Sequence, residues 1–257
     1  VCSELALVHD CLPERLTPID PRLSPLRKRW LHGASSHICV SHATSIDVSR
    51  FTRSSVKAPW THLAPSRNFT RNPSHDSWIS LKSKLNLPDT FIVLPSVASL
   101  GTYKNPDVLL EALAHPSLEH ISLVITGSPS CNYCDQFRQS FPSLKNRIYQ
   151  GSFSDSELSM LYFKSLCVVV PSLLEGFGLP SLEVLASSGI LLVSDVPGLR
   201  ESASEAALVF PPTDSTFLVY LIQAVANVSF GPCLRSVLSR RSVIRLSRLN
   251  QDLFALS

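Results

Sequence analysis

From Phe91 onward, short apolar runs rich in β-branched residues alternate with segments of helical period, and this alternation limits the fold more than any other feature. Residues 91–97, 121–126, 147–150, 167–170, 190–194 and 207–210 read as strands. Most of these strands have no polar alternation and so offer no face to water. They are expected in a parallel sheet with helices covering both sides. Residues 106–114, 132–141, 154–164, 180–188 and 214–227 read as those helices. Ser154-x-x-Glu157 is a capping box, and Asp214 is an N-cap candidate. The prediction is an α/β, doubly wound sheet, with ligands held at the carboxyl ends of its strands.

One strand–turn–helix unit carries the most chemistry. In Val168-Val-Val-Pro-Ser-Leu-Leu-Glu175-Gly-Phe-Gly178-Leu-Pro-Ser-Leu-Glu183, a β-branched run stops at Pro171 and a turn holds Gly176 and Gly178. Pro180 then opens a helix that closes at Gly189. Glycines let a ligand approach the backbone, and the free N–H groups of a helix start are a seat for phosphate. Glu175 and Glu183 flank that seat. Phosphate repels carboxylates, so their expected work is to accept hydrogen bonds from hydroxyls on either side of it. A nucleotide sugar, with sugar hydroxyls on one side and ribose hydroxyls on the other, has this layout.

Glu175-Gly-Phe-Gly-Leu-Pro-Ser-Leu-Glu183 resembles the E-x7-E signature of the group 1 (family 4) retaining glycosyltransferases, which have the GT-B fold. Val97-Ala-Ser-Leu-Gly-Thr-Tyr-Lys104-Asn105 resembles that family's VGTLEPRKN segment, and Gly151-Ser-Phe-Ser-Asp-Ser-Glu-Leu158 its GYVSDEEL segment. Ser194-Asp-Val-Pro-Gly-Leu-Arg-Glu201 resembles its SNxPSLPE turn, and His9-Asp10-Cys-Leu-Pro13-Glu14 its mid-domain HDxxPE. The resemblance implies two Rossmann-like doubly wound domains, the first incomplete. Residues 1–75 would be a partial acceptor-side domain with linker, 76–234 the nucleotide-sugar donor domain, and 235–257 a helix crossing back. The chain opens on Val1 and its only methionine is Met160, so an upstream portion is expected.

By that resemblance the activity would be transfer of a hexose, mannose or glucose, with retention and without metal or cofactor. The donor would be a nucleotide sugar, and the acceptor a glycan or lipid-linked molecule in polysaccharide or lipopolysaccharide synthesis. His9, Lys104 and Glu175 would carry the chemistry. Gly176, Phe177, Gly178, Leu179, Glu183 and Gly127 would bind the donor, the 176–178 turn through backbone amides and Glu183 through the ribose. Taken singly, these residues have ordinary alternatives. Lys104 could be a surface lysine before a helix, and Glu183 a carboxylate favoured by the helix dipole. His9 could be a structural histidine. Glu175 has no such explanation, since it sits in a glycine turn after an apolar strand. Two departures weigh on the donor site: Tyr103 stands where the family has arginine, and Ala98 where it has glycine. Arg200 or the upstream portion could restore the charge.

Apolar content of 44% and charged content of 17% describe a globular protein, and a net charge of +3 gives no reason to expect nucleic acid. No apolar run reaches the ~20 residues of a membrane span, and no signal peptide is evident. Basic clusters at Arg22, Lys28 and Arg29, and at Arg235, Arg240, Arg241, Arg245 and Arg248, are either solvated helix faces or contacts with an anionic membrane. Seven unevenly spaced cysteines point to a reducing compartment. The lone pair Cys131-x-x-Cys134 lacks the second pair that zinc requires. The expected location is cytoplasmic, with peripheral attachment to the inner membrane face as the extension of that reading. Two rival functions stay open. One is a dinucleotide-dependent oxidoreductase, for which Gly176-x-Gly178 lacks its third glycine at Ser181. The other is a homologue that binds nucleotide sugar without turnover.

Overall fold

The computed structural model describes residues 5–15, 23–69, 75–95, 102–127 and 133–254. Ala98, Cys131, Arg22 and Pro73 lie outside them. In chain order the first elements are β1 (Leu5–Val8), α1 (Leu12–Arg15), α2 (Leu23–Gly33), β2 (Ser36–Cys39) and α3 (His42–Thr52). Next come α4 (His75–Leu85), β3 (Phe91–Pro95), α5 (Pro106–Leu113), β4 (Ser122–Thr126), α6 (Tyr133–Ser140) and β5 (Ile148–Gly151). The remainder is α7 (Asp155–Lys164), β6 (Cys167–Val170), α8 (Leu179–Ala186), β7 (Leu191–Ser194), α9 (Pro197–Ala203), β8 (Leu208–Phe210), α10 (Ser215–Ala226) and α11 (Gly231–Phe254).

Two separate parallel sheets form. β1 pairs only with β2, whereas six strands assemble in the order β5-β4-β3-β6-β7-β8. Counted from β3 this order is 3-2-1-4-5-6, the doubly wound arrangement in which the winding reverses between the first and fourth strands. The buried strands divide their side chains by parity. Ile92, Leu94, Leu123, Ile125, Val169 and Leu192 join a core with α5, α6 and α10. Phe91, Val93, Val124, Val168, Val170, Leu191 and Val193 join the opposite core, with α7, α8 and α9. A period of two sends alternate residues to opposite faces, and both faces are roofed by helices.

The capping box is complete: Ser154 Oγ accepts from the Glu157 amide while the Glu157 carboxylate accepts from the Ser154 amide. The Asp214 carboxylate caps α10 by accepting from the Phe217 amide at 2.8 Å. Two readings need correction. The segment taken as a turn around Pro197-Gly198 is the start of α9, since proline at the first helical position is preset for helix rather than against it. The interdomain linker, which Pro59, Pro65 and Pro73 led one to expect over residues 59–77, is not a plain one among the described residues. Pro59 O accepts from the Cys39 amide, the Thr61 amide donates to Cys39 O, and α4 begins at His75.

β1 and β2 pack Ala6, Val8 and Cys39 against Leu31 of α2 and Val48 of α3. Val40, Phe177, Leu182 and Leu249 form a further core where this unit, the Gly176–Gly178 turn and α11 meet.

Asn105 ties the strand ends together. Its side-chain amide donates to Pro171 O at 3.0 Å and Pro212 O at 2.7 Å, beyond the ends of β6 and β8. Its backbone is left-handed at φ 51°, a conformation asparagine tolerates better than most residues. Asn105→Ala removes both bonds and adds backbone strain, and should cost about 2–4 kcal/mol in urea unfolding. Asn105→Gly, which relieves only the strain, should fall between alanine and the native residue.

Candidate functional site

The crevice of a doubly wound sheet lies where the winding reverses, here between the carboxyl ends of β3 and β6. The loop after β3 carries Lys104 and the turn after β6 carries Glu175, so the topology brings together two residues far apart in sequence. Lys104 Nζ donates to Glu175 Oε1 at 2.6 Å, with the side chains 26% and 11% exposed. Ser172 Oγ donates to the same carboxylate oxygen at 2.8 Å. The two loops are also joined by the Leu173 amide, which donates to Tyr103 O at 2.7 Å. The Tyr103 ring lies 5.2 Å from Lys104 Nζ, a cation–π contact.

The glycines of the turn are dictated by close backbone packing. A Cβ on Gly176 would lie 2.2 Å from His9 O, and one on Gly198 would lie 2.5 Å from Glu175 O. The turn is therefore held between the end of β1 and the start of α9. Gly176 O accepts from Ser41 Oγ at 2.6 Å and Thr44 Oγ1 at 3.3 Å. Gly178, at φ 88°, begins α8 without a side-chain cap. The amides of Gly176, Phe177 and Gly178 make no hydrogen bond among the described residues. A helix start with unpaired amides suits an anion.

The other expected residues fall as follows. Leu179, the first residue of α8, is partly exposed. The Phe177 side chain is buried and stacks on His62 with ring centroids 5.0 Å apart. His9 places its carbonyl against Gly176 and leaves its side chain exposed. The Gly127 amide donates to Gly151 O at 2.9 Å, which extends the β4–β5 ladder. The Arg200 guanidinium donates to both Asp195 oxygens at 2.7 and 2.9 Å and is thereby engaged. Among the described residues no three His, Cys, Asp or Glu side chains converge with metal-binding geometry.

Sequence reasoning missed the clamp beside this turn. The Glu201 carboxylate accepts from the amides of His42 at 2.6 Å and Ala43 at 2.9 Å, at the start of α3, and lies 2.8 Å from His62 Nε2. Burial raises the Glu201 pKa, but the bonds from His62 and the two amides outweigh it and hold the carboxyl below its usual value. The signal was present in the Pro197-Gly-Leu-Arg-Glu201 motif, but nothing local points to partners 139 and more residues away.

Glu183 experiences the opposite balance. Burial in α8, and next the charge of Asp155, push its pKa from 4.5 to about 7. The folded chain then binds this proton more tightly than the unfolded chain. The resulting stabilisation is complete below about pH 4.5 and declines as pH rises to about 7. Relative to Glu183→Gln, the native chain should lose on the order of 2–3 kcal/mol of urea stability between pH 5 and pH 8. Parallel stability curves for the two proteins would place Glu183 in water.

Residues 79–228 match the family model for glycosyl transferases group 1. The O-antigen chain mannosyltransferase RfbU of Salmonella typhimurium is 39% identical over 72 residues, 28% of this chain and 20% of that protein. The serotype-specific mannosyltransferase WbdA of Escherichia coli is 30% identical over 142 residues, 52% of this chain and 17% of WbdA. The matched stretches thus span a fifth or less of these relatives' lengths. The structure of Anabaena HepE in complex with UDP and glucose superposes with a TM-score of 0.76 at 17% identity, covering 99% of this chain and 71% of that one. The GT-B-like α/β fold expected from the sequence holds.

Proposed function

The chain belongs to the group 1 glycosyl transferases, and on that premise we propose that it takes part in moving a hexose from a nucleotide sugar to a glycan or lipid-linked acceptor, with retention and without a metal. The observation that carries this reading is the meeting of Lys104 and Glu175 at 2.6 Å in the crevice between β3 and β6. A departing diphosphate needs positive charge, and the hexose needs an acceptor for its hydroxyls. In the absence of donor the ammonium and the carboxylate satisfy each other. When donor enters, the diphosphate takes Lys104 and the unpaired amides of the 176–178 turn, and Glu175, still held by Ser172, accepts from a sugar hydroxyl. The proton that Glu183 retains near neutral pH gives it a donor as well as an acceptor for the ribose. His9 contributes through the carbonyl it presses against Gly176.

Mannose and glucose are the proposed sugars. The mannosyltransferase relatives support the first, and HepE, solved with UDP and glucose, supports the second. O-antigen or lipopolysaccharide synthesis is the proposed setting, supported by the O-antigen chain mannosyltransferase among the relatives, and a cytoplasmic location is part of the same proposal. The oxidoreductase reading has lost its footing, because the Gly176 turn follows the fourth strand of the winding rather than the first.

The test is release of nucleoside diphosphate from UDP- and GDP-hexoses, together with calorimetry of the products. Glu175→Ala should lower turnover about 10–150-fold through loss of a charged hydrogen bond. It should also tighten diphosphate binding, since Lys104 loses its internal partner. Lys104→Ala should weaken nucleoside diphosphate but not nucleoside, and Tyr103→Arg should tighten the diphosphate less at high salt than at low. Equal losses for nucleoside and diphosphate in Lys104→Ala would remove the lysine from the phosphate site. Binding without turnover would identify the non-catalytic homologue instead.

A further inference from the structure

Beside the donor crevice lies an open hollow of about 570 Å³, enclosed by the start of α3, residues 60–62 and α9, with Arg245 of α11 completing its lining. Its size falls in the ~300–1,000 Å³ range of small-molecule sites. Neither Lys104, Glu175 nor the 176–178 turn lines it. It is nevertheless close to them, since Pro197 belongs to its wall and the next residue, Gly198, packs on the Glu175 backbone. Trp60 is its platform, with the indole 37% exposed and Ile46 of α3 46% exposed. The Trp60 backbone is fixed as an extension of the sheet: it bridges to Cys39, whose amide and carbonyl pair with Pro59 O and the Thr61 amide, each at 2.9 Å. The ring is wedged by His62, 4.8 Å away and tilted by 50°, and by His42 at 5.8 Å and 56°. His62 in turn stacks on Phe177, so a train of rings runs from the donor turn to the hollow. An indole already held this firmly loses little side-chain freedom when a ligand arrives.

The charges of the hollow are answered from within the protein. The Glu201 carboxylate accepts from the His42 and Ala43 amides and meets His62. Arg245 donates to Glu201 O and Ser202 O, and Arg200 donates to both Asp195 oxygens. A phosphate or an ammonium would therefore find no uncompensated partner here. A neutral ligand finds more. Trp60, Ile46 and Pro197 form an apolar wall, while the Ser204 hydroxyl, the rest of the Arg200 fork and the remaining lone pairs of Glu201 can bond to hydroxyls. A pyranose ring carries both halves of that match, a C–H face for the indole and hydroxyls around its edge. Because the hollow is open, a chain of such rings can continue past it. We propose that the Trp60 hollow holds one unit of a neutral hexose glycan, so that the acceptor chain is gripped at a second point beside the donor crevice. Such a grip raises the effective concentration of the chain end at the crevice. That the glycan is an acceptor rests on the transferase reading; that the hollow binds it does not.

Fluorescence titration tests the proposal directly. Of the three tryptophans, Trp30 and Trp78 can be replaced by phenylalanine to leave Trp60 as the reporter. An α-linked mannotetraose or maltotetraose should shift the Trp60 emission saturably, and free mannose or glucose should bind about tenfold or more weakly. Saturating UDP or GDP should leave the titration unchanged, because the hollow is separate from the crevice. In the chain with its native tryptophans, calorimetry should show that Trp60→Ala weakens the tetrasaccharide about tenfold. Ile46→Ser, on the exposed side of α3, should weaken it in the same sense without touching the ring train, and its thermal melting should match the native chain. No response to either tetrasaccharide, or native affinity in both variants, would overturn the proposal. Displacement of the tetrasaccharide by UDP or GDP would also overturn it, by placing the glycan in the crevice. Tetrasaccharide binding without release of nucleoside diphosphate from any hexose donor would support the hollow and remove the transferase reading. Turnover without tetrasaccharide binding would do the reverse.

Discussion

The geometry of the crevice depends on a turn that has no room for a side chain. The backbone of Glu175–Gly176 lies against His9 O on one side and the start of α9 on the other, close enough that a methyl group at Gly176 or Gly198 would collide with main chain. Main-chain atoms cannot move aside as a flexible side chain can, so the turn is held by main-chain contact on both sides. Glu175 inherits that constraint, and through it so does the partnership with Lys104. Gly176 O is held from the third direction by Ser41 and Thr44, the residues that begin α3.

The same junction shows how two carboxylates on neighbouring helices reach opposite protonation behaviour. Glu201 is buried but receives two amide hydrogen bonds at a helix start and a third contact from His62, so its charged form is favoured. Glu183 is buried, and next the charge of Asp155 adds to the loss of water, so its charged form is disfavoured. One carboxylate therefore serves as a fixed anion that joins α3 to α9. The other keeps a proton near neutrality, where it can both donate and accept. Burial alone determines neither outcome; the difference lies in which dipoles surround the group.

Much of the six-stranded sheet was legible because parallel strands buried on both faces leave a simple trace. The runs at β3, β4, β6 and β7 are apolar throughout, and the caps at Ser154 and Asp214 use side-chain chemistry that is local to a few residues. α9 was missed because Pro197-Gly198 carries the same residue types as a turn, and only the packing of Leu199 and Ala203 into the core shows that a helix continues. Residues 59–62 were read as linker because proline and polar residues surround them. Their pairing beside β2 and the stacking of His62 on Phe177 depend on neighbours far away in sequence.

By itself the sequence determined the class of fold and the chemical types at the site, because periodicity, capping and glycine turns are properties of short stretches of chain. It placed Glu175 and Glu183 on one strand–turn–helix unit, and the family resemblance added Lys104. Tertiary structure alone decided that Lys104 and Glu175 meet, since they are 71 residues apart and the contact exists only because β3 and β6 are adjacent where the winding reverses. It also decided that the Gly127 amide is spent on the sheet and that the Glu201 carboxylate meets the first amides of α3. Hydrogen-bond partners and desolvation are set by whatever the fold brings within a few ångströms, and local sequence carries no record of that.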